Sequence, residues 1–247
     1  MRALLLAGAL LAGLAVLLLW RLGAFAPSDP PATSLRLTVP PPPAPLRVIA
    51  AGTSLTAQGD WTGKLAAALT QCRGSPVTIE KLALPGASSR WGEPSLLARL
   101  ARAPSPQIVL IEFAANDAHV GRMIGLAESR RRHAQMIRAA QAAGAAPVLV
   151  TMTRVHGAEA RERPFLAAYR ALYGPLAEET GASVIDTTPA WYALDDEALR
   201  RAVPDGSHPT AEAMERLLVP ALVEALAPVV CPRATDTRPN VSPDPSR

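Results

Sequence analysis

Short apolar runs rich in β-branched residues alternate with longer Ala/Leu/Arg-rich segments over residues 46–231. Runs at 46–51, 77–82, 108–113, 147–152 and 183–186 predict strands, several of them apolar enough for a sheet that is covered on both faces. The segments between them have the helical period and predict helices near 60–70, 94–102, 129–143, 163–180 and 210–227. This alternation predicts an α/β domain around a five-stranded parallel sheet.

The N-terminal end has a different pattern. Residues 3–20 form an unbroken apolar run between Arg2 and Arg21, close to the minimum length that spans a bilayer. We expect residues 1–26 to be a signal peptide or an N-terminal membrane anchor. Ala24-Phe25-Ala26 has the form of a cleavage site, but Pro27 directly after it disfavours cleavage. Either outcome predicts a domain on the extracytoplasmic, periplasmic side of a membrane.

Proline content divides the rest of the chain. Residues 27–45 are proline-rich, which predicts an extended linker that acts as a semi-rigid spacer. Residues 46–231 form the predicted domain. Residues 232–247 are polar and interrupted by prolines, so we expect a disordered tail there.

Charge and composition exclude several classes of function. The net charge is +4, but the arginines are scattered and aromatic residues are few, which argues against a nucleic-acid partner. No His/Asp/Glu cluster has metal-ligand spacing, so no metal is expected. The two cysteines, Cys72 and Cys231, lie outside any C-x-x-C motif. From the residues alone, a disulfide and two buried thiols both remain open.

Polar residues follow the predicted strands at the edge where ligand sites form in open parallel sheets. A serine hydroxyl becomes a nucleophile when an imidazole removes its proton and a carboxylate orients that imidazole. Ser54, His208 and Asp205 offer this set, and the backbone N–H groups of Ser54 and Gly86 with the amide of Asn116 offer an oxyanion hole. The polar segments are Gly52-Thr53-Ser54, Gly86-Ala87-Ser88, Asn116-Asp117-Ala118-His119 and Asp205-Gly206-Ser207-His208.

Each of these residues also has an ordinary structural interpretation. Ser54 and Asn116 could be turn residues, and the Asp205 segment could be a turn before a helix capped by Thr210. Thr53, His119 and Trp91 are candidates for substrate contact, although Trp91 has the alternative of packing in the core. His133 and His156 have no partner pattern, and we expect both at the surface.

The four segments together resemble the blocks of the SGNH (GDSL-type) hydrolases, and the resemblance covers residues 47–227. It implies a flavodoxin-like three-layer α/β/α fold and ester hydrolysis without a cofactor. It also implies Ser54 as nucleophile, His208 as base and Asp205 as the third triad residue, with Gly86 and Asn116 in the oxyanion hole. The chain departs from the family pattern at two positions: Thr53 replaces the usual aspartate and Ala114 replaces the usual glycine.

The implied fold also bears on the cysteines and on function. In a flavodoxin-like order the first and last helices pack on one face of the sheet, which brings Cys72 and Cys231 together, so we expect a disulfide. The predicted function is an extracytoplasmic serine esterase that removes a small acyl group, such as acetyl, from a carbohydrate or envelope polymer. The alternatives are a lysophospholipase or thioesterase, and a non-catalytic module that binds a glycan or a partner.

Overall fold

The computed structural model describes residues 2–231, so the predicted tail at 232–247 lies outside the described residues. Its centre is a five-stranded, wholly parallel sheet with the order β2-β1-β3-β4-β5. This is the flavodoxin-like order, and it confirms the predicted fold. The strands are β1 Leu46–Gly52, β2 Val77–Ala83, β3 Ile108–Glu112, β4 Ala146–Val150 and β5 Ser183–Ile185.

Helices precede the sheet, connect its strands and follow it. A 3₁₀ turn at Val120–Arg122 and a π-helical turn at Met214–Leu218 complete the regular structure. The helices are α1 Arg2–Arg21, α2 Ser54–Ala57, α3 Trp61–Arg73, α4 Ser89–Leu100, α5 Ala114–Asp117, α6 Leu126–Ala142, α7 Gly157–Glu162, α8 Leu166–Ala171, α9 Tyr173–Thr180, α10 Thr188–Tyr192, α11 Asp196–Ala202, α12 Ala211–Ala213 and α13 Val219–Val230.

Two of the predicted helices are interrupted, and a proline explains each interruption. The helix expected over 163–180 is split into α8 and α9 after Ala171, the residue whose carbonyl Pro175 would obstruct in a continuous helix. The helix expected over 210–227 contains the π-helical turn directly before Pro220, which has no N–H for the ladder. The sequence period identified both regions as helical but did not reveal the breaks.

The alternation of side chains along β1 divides the core into two layers. Val48 and Ala50 face the layer formed with α3 and α13, while Ile49 and Ala51 face the layer formed with α4, α6 and α9. Because helices cover both faces, the inner strands β1, β3 and β4 are largely buried, whereas the edge strand β2 carries the exposed Thr78, Glu80 and Lys81. The sheet's carboxyl edge, where β1 and β3 end side by side at Gly52 and Glu112, remains open for a site.

Residues 22–45, which include the predicted linker, lie against the domain. Leu22 and Leu37 are buried. Ser34 pairs with Val184 of β5 through two backbone hydrogen bonds of 2.9 and 2.8 Å. β5 is an edge strand whose backbone groups need partners, and Ser34 supplies some of them. The segment therefore follows the surface of the domain, whereas a spacer would extend away from it. The domain boundaries stay a prediction.

Helix α1 exposes apolar side chains, among them Leu10, Leu14 and Trp20. In the part of the chain that the structure describes, no helix is long and apolar enough to cross a membrane. The predicted signal peptide or anchor at 1–26 stays a prediction.

A disulfide joins the helices that pack side by side on one face of the sheet. Cys72 lies in the last turn of α3 and Cys231 directly follows α13, with 5.5 Å between their Cα atoms. The neighbouring Arg73 is buried and donates to the carbonyls of Val230, Ala44 and Pro40. The first and last helices of the sheet domain and the segment before β1 are thus tied together at one point.

Replacement of both cysteines by serine should lower the free energy of unfolding by about 2–4 kcal/mol, because the bond closes a long loop that restricts the unfolded chain. Urea denaturation of the Cys72→Ser/Cys231→Ser variant beside wild type measures this. Reduction of the wild type should give the same change. Two free thiols in non-reducing mass spectrometry of the purified protein would refute the pairing.

Candidate active site

The turn after β1 presents Ser54 at the carboxyl edge of the sheet. Thr53 caps α2 by accepting a hydrogen bond from the Leu55 N–H on its Oγ1 atom, at 3.2 Å. Ser54 is then the first helical residue, with 8% of its surface exposed. Its position at the junction of strand and helix directs the hydroxyl away from the core and toward the open edge.

The structure brings Ser54, His208 and Asp205 together in the predicted arrangement. Ser54 Oγ lies 2.8 Å from His208 Nε2, and His208 Nδ1 lies 2.7 Å from Asp205 Oδ2. With the proton on Nδ1 donated to the carboxylate, Nε2 is free to accept from the serine hydroxyl. This geometry can remove the proton of Ser54 as the oxygen attacks a carbonyl carbon.

The carboxylate of Asp205 also holds the loop that carries His208. Its Oδ1 atom accepts from the N–H groups of Ser207 and His208, at 2.9 and 2.7 Å. Burial raises the pKa of Asp205, but these hydrogen bonds and the His208 ring outweigh it and lower the pKa to about 2. Asp205 is therefore charged throughout the pH range in which an imidazole can act as a base. Thr210 caps α12 by accepting from the Ala213 N–H, so the segment is also a turn before a capped helix.

His156 and His133 both have contacts that the sequence did not suggest. His156 is half-buried and supports the His208 loop: its Nε2 atom is 2.7 Å from the Val203 carbonyl, and its N–H donates to the Gly206 carbonyl. His133 has 1% of its surface exposed and contacts Ser129 and Tyr173 through its ring nitrogens. The surface position expected for His133 was wrong, because the Ser129 carbonyl and the Tyr173 hydroxyl satisfy its ring in the interior. His156 remains partly exposed, but it has the partners that the sequence did not reveal.

The candidate oxyanion donors lie on the same side of the serine. Gly86 adopts a φ of +75°, which favours glycine, in the turn after β2. Asn116 is buried in α5, and its Nδ2 atom donates to the Ala87 carbonyl at 2.7 Å. Its Oδ1 atom accepts from Arg163 at 3.4 Å, which fixes the orientation of the amide. The hydrogen bond between Asn116 and Ala87 joins the loops after β2 and β3.

Glu112 is a site residue that sequence reasoning missed. It ends β3 with 5% of its surface exposed, and its carboxylate accepts from the Thr53 N–H at 2.6 Å and the Thr56 hydroxyl at 2.7 Å. The Thr53 hydroxyl donates to the same carboxylate. Burial raises the pKa of Glu112 to about 7, although these hydrogen bonds oppose the shift. The signal was present in the sequence as a charged residue at the end of an apolar strand.

Gly52 shows how closely the ends of β1 and β3 approach each other. A Cβ atom at this position would lie 2.1 Å from Glu112 Oε1 and 2.5 Å from Thr56 Oγ1. Only glycine leaves room for the carboxylate, so the first residue of the serine motif is determined by the packing of Glu112.

The three candidate substrate contacts have different outcomes. Thr53 and His119 line the pocket beside Ser54. His119 Nε2 lies 2.9 Å from Glu162 Oε2 at the rim. Trp91 does not line this pocket: it lies in the first turn of α4, half-buried against the core layer on that side of the sheet. The expectation that Trp91 contacts substrate is not met, because the first turn of α4 packs its ring against the core.

The pocket over Ser54 and His208 is open and has a volume of about 300 Å³. Besides the predicted residues it is lined by Arg122, Arg163, Glu159 and Glu162, none of which sequence reasoning identified. Among the described residues, no group of three or more His, Cys, Asp or Glu side chains could hold a metal ion. The arrangement places a hydroxyl, an imidazole and hydrogen-bond donors around an open pocket with both polar and apolar walls.

The GDSL-like lipase/acylhydrolase family model matches residues 49–216, which include Ser54 and His208. The chain belongs to this family. It is accordingly a serine ester hydrolase, and the resemblance found in its sequence is confirmed. No curated protein matches the chain.

Solved structures of several family members and esterases share the fold. A lipase/acylhydrolase from Enterococcus faecalis is 21% identical, covers 73% of this chain and 95% of its own, and has a TM-score of 0.62. TesA is 22% identical, with 74% and 99% covered and a TM-score of 0.61. An acetylxylan esterase from Geobacillus stearothermophilus is 18% identical, with 73% and 94% covered and a TM-score of 0.58. At these identities, the likeness concerns the fold.

The buried carboxyl of Glu112 should make the stability of this GDSL hydrolase pH-dependent. The pKa of Glu112 is about 7 in the folded chain and 4.5 in an ordinary environment, so between these values the folded state binds more protons than the unfolded state. The free energy of unfolding should therefore fall as the pH rises from about 4.5 to 7, with a contribution of about 1.4 kcal/mol per pH unit.

Glu112→Gln should flatten this dependence, which urea denaturation at several pH values measures. Glu128→Gln is the matched control. The pKa of Glu128 is lowered to about 2, mainly by its hydrogen bond with Arg90, so this group does not titrate in the window. Parallel pH profiles for wild type and Glu112→Gln would contradict the assignment.

Proposed function

We propose that the protein is an extracytoplasmic serine esterase that removes a small acyl group, such as acetyl, from a carbohydrate or envelope polymer through an acyl-enzyme on Ser54. The observation that carries this proposal is the chain of contacts from Ser54 Oγ to His208 Nε2, and from His208 Nδ1 to Asp205 Oδ2, at 2.8 and 2.7 Å. It lies at the floor of an open pocket that a substrate can enter.

The proposed reaction has two steps. Ser54 Oγ attacks the ester carbonyl carbon while His208 Nε2 takes the hydroxyl proton, and the N–H groups of Ser54, Gly86 and Asn116 stabilise the oxyanion. Collapse of the tetrahedral intermediate breaks the bond to the alcohol, which leaves with the proton from His208. Water then attacks the acyl-Ser54 carbonyl with His208 as base, releasing the acid and restoring the serine.

The lining of the pocket supports a short acyl group. Apolar side chains such as Leu55 and Val155 lie near the serine, but Arg122, Glu159 and Glu162 continue the wall. A long alkyl chain would have to lie against these charged groups and displace their water, which is unfavourable. A lysophospholipase or long-chain thioesterase is therefore the second candidate, and a non-catalytic module is not supported by the contact between Ser54 and His208.

Two observations support the extracytoplasmic location. The disulfide between Cys72 and Cys231 is typical of proteins outside the reducing cytoplasm. The apolar run at 3–20 is the sequence feature of a leader or an anchor.

An organophosphonate probe should modify Ser54 in the folded protein, and Ser54→Ala should abolish both labelling and hydrolysis of 4-nitrophenyl acetate. Mass spectrometry of the labelled peptide identifies the site. Activity on 4-nitrophenyl esters should fall as the acyl chain lengthens from acetyl to octanoyl. A wild type that resists the probe would defeat the serine mechanism, whereas a strong preference for octanoyl would defeat only the small-acyl assignment.

Asp205→Asn should lower kcat by about 10²–10⁴, because the amide keeps an oxygen for the Ser207 and His208 N–H groups but loses the charge that selects the tautomer of His208. KM should change little, since Asp205 is not among the residues that line the pocket. Steady-state kinetics separates the two parameters. Asp196→Asn, an exposed aspartate outside the pocket, is the control and should match wild type; an equal loss in both variants would contradict a specific role.

A further inference from the structure

Arg122 lies at the pocket wall next to the candidate oxyanion hole. A Cβ atom built on Gly86 would be 3.7 Å from Arg122 Nη2, so the guanidinium faces the glycine that is proposed to donate to the oxyanion. Its Nε atom is buried and has no hydrogen-bond partner among the residues that the structure describes. A guanidinium that presents donors to a cavity without a protein acceptor is suited to bind an anionic oxygen group.

The other charged groups at the pocket are paired. Arg163 forms an ion pair with Glu159 and donates to the Ala115 carbonyl. His119 Nε2 lies 2.9 Å from Glu162 Oε2. Within residues 2–231, no carboxylate forms an ion pair with Arg122. Its positive charge is therefore available to a ligand in the pocket. Arg163 offsets the charge of Glu159, and the His119 ring engages Glu162 at the rim of the pocket.

The loop that carries Arg122 is held in place. Arg90 donates to the carbonyls of Arg122 and Met123 and is itself paired with Glu128. The Tyr169 hydroxyl donates to the Ile124 carbonyl at 2.5 Å. Met123 adopts a φ of +53°, a conformation rarely used by residues other than glycine. These contacts hold the backbone that carries Arg122 in place before a ligand arrives, which lowers the entropic cost of binding.

Burial and the nearby Arg163 guanidinium lower the pKa of Arg122, and the charge of Asp117 opposes this shift only in part. An anion bound in the pocket would offset the unfavourable effects of burial and of Arg163 on the charge of Arg122. Because the proposed acyl group is small, such an anion belongs to the alcohol part of the ester.

We propose that Arg122 selects esters whose alcohol part carries a negatively charged oxygen group, a carboxylate or a phosphate, such as an acylated acidic carbohydrate. This inference rests on the proposed ester hydrolysis at Ser54 and names its substrate class. Arg122 acts as a substrate-binding residue that positions the anionic alcohol while the ester carbonyl enters the oxyanion hole.

The test compares 4-acetoxybenzoate and 4-acetoxyphenyl phosphate with the neutral methyl 4-acetoxybenzoate. The measured quantity is the ratio of kcat/KM for each anionic ester to kcat/KM for the neutral ester. The esters differ in intrinsic reactivity, but this difference cancels when the ratio is compared between variants. Arg122→Gln should lower the ratio by about 10-fold or more, while Arg122→Lys should retain part of it. The two anionic arms distinguish a carboxylate from a phosphate. Arg131→Gln, which removes an exposed arginine of α6, is the matched control and should leave the ratio unchanged.

An unchanged ratio in Arg122→Gln, or an equal drop in Arg131→Gln, would overturn the inference while leaving the proposed function intact. Hydrolysis that persists in Ser54→Ala would instead refute the proposed function, and the inference with it. A second measurement needs no variant: the wild-type ratio should fall severalfold between about 0.02 M and about 0.5 M NaCl, because salt screens the attraction. A ratio that does not depend on salt would count against Arg122 as the binding group.

Discussion

The active site depends on one buried carboxylate. Glu112, at the end of β3, receives the Thr53 N–H and the Thr53 and Thr56 hydroxyls, so it fixes both residues next to the serine turn. This close approach requires glycine at position 52. It also gives a physical reason for the departure at Thr53: an aspartate there would place a second carboxylate against Glu112, whereas threonine donates a hydrogen bond to it. A carboxyl group therefore lies next to the serine turn in this chain as well, contributed by the neighbouring strand β3.

The remaining parts of the site are held by contacts between loops. Asn116 bonds to Ala87, and Arg163 bonds to Asn116, so the loops after β2 and β3 and the segment after α7 form one connected wall. His156 supports the loop of Asp205 and His208 from below. Groups fixed in this way need little reorganisation when charge develops in the transition state, and such preorganisation is a large part of enzymatic rate enhancement.

Much of this could be predicted from the sequence: apolar runs and helical periods indicate a parallel sheet, the family resemblance implies its flavodoxin-like order, and polar residues after parallel strands meet at one edge. Ser54, Asp205, His208, Gly86 and Asn116 were accessible for that reason. Arg122 and Arg163 were not, because their roles depend on which side chains face them across the fold, and a single charged residue gives no spacing pattern. Glu112 carried a local signal as the charged end of an apolar strand, but its threonine partners depend on the fold. The interruptions near Pro175 and Pro220 carried a local signal, which the helical period of the surrounding residues concealed.

The segment before β1 has a consequence for the extent of the folding unit. Ser34 covers part of the edge of β5, and the carbonyls of Pro40 and Ala44 accept from the buried guanidinium of Arg73. A chain beginning at Leu46 would leave Arg73 with only the Val230 carbonyl as an acceptor. It would also expose the whole outer edge of β5, which pairs with β4 on its other side. Exposed edges of this kind pair with other chains. By covering part of the β5 edge, the segment that contains Ser34 reduces the backbone available for pairing with the sheet of another molecule.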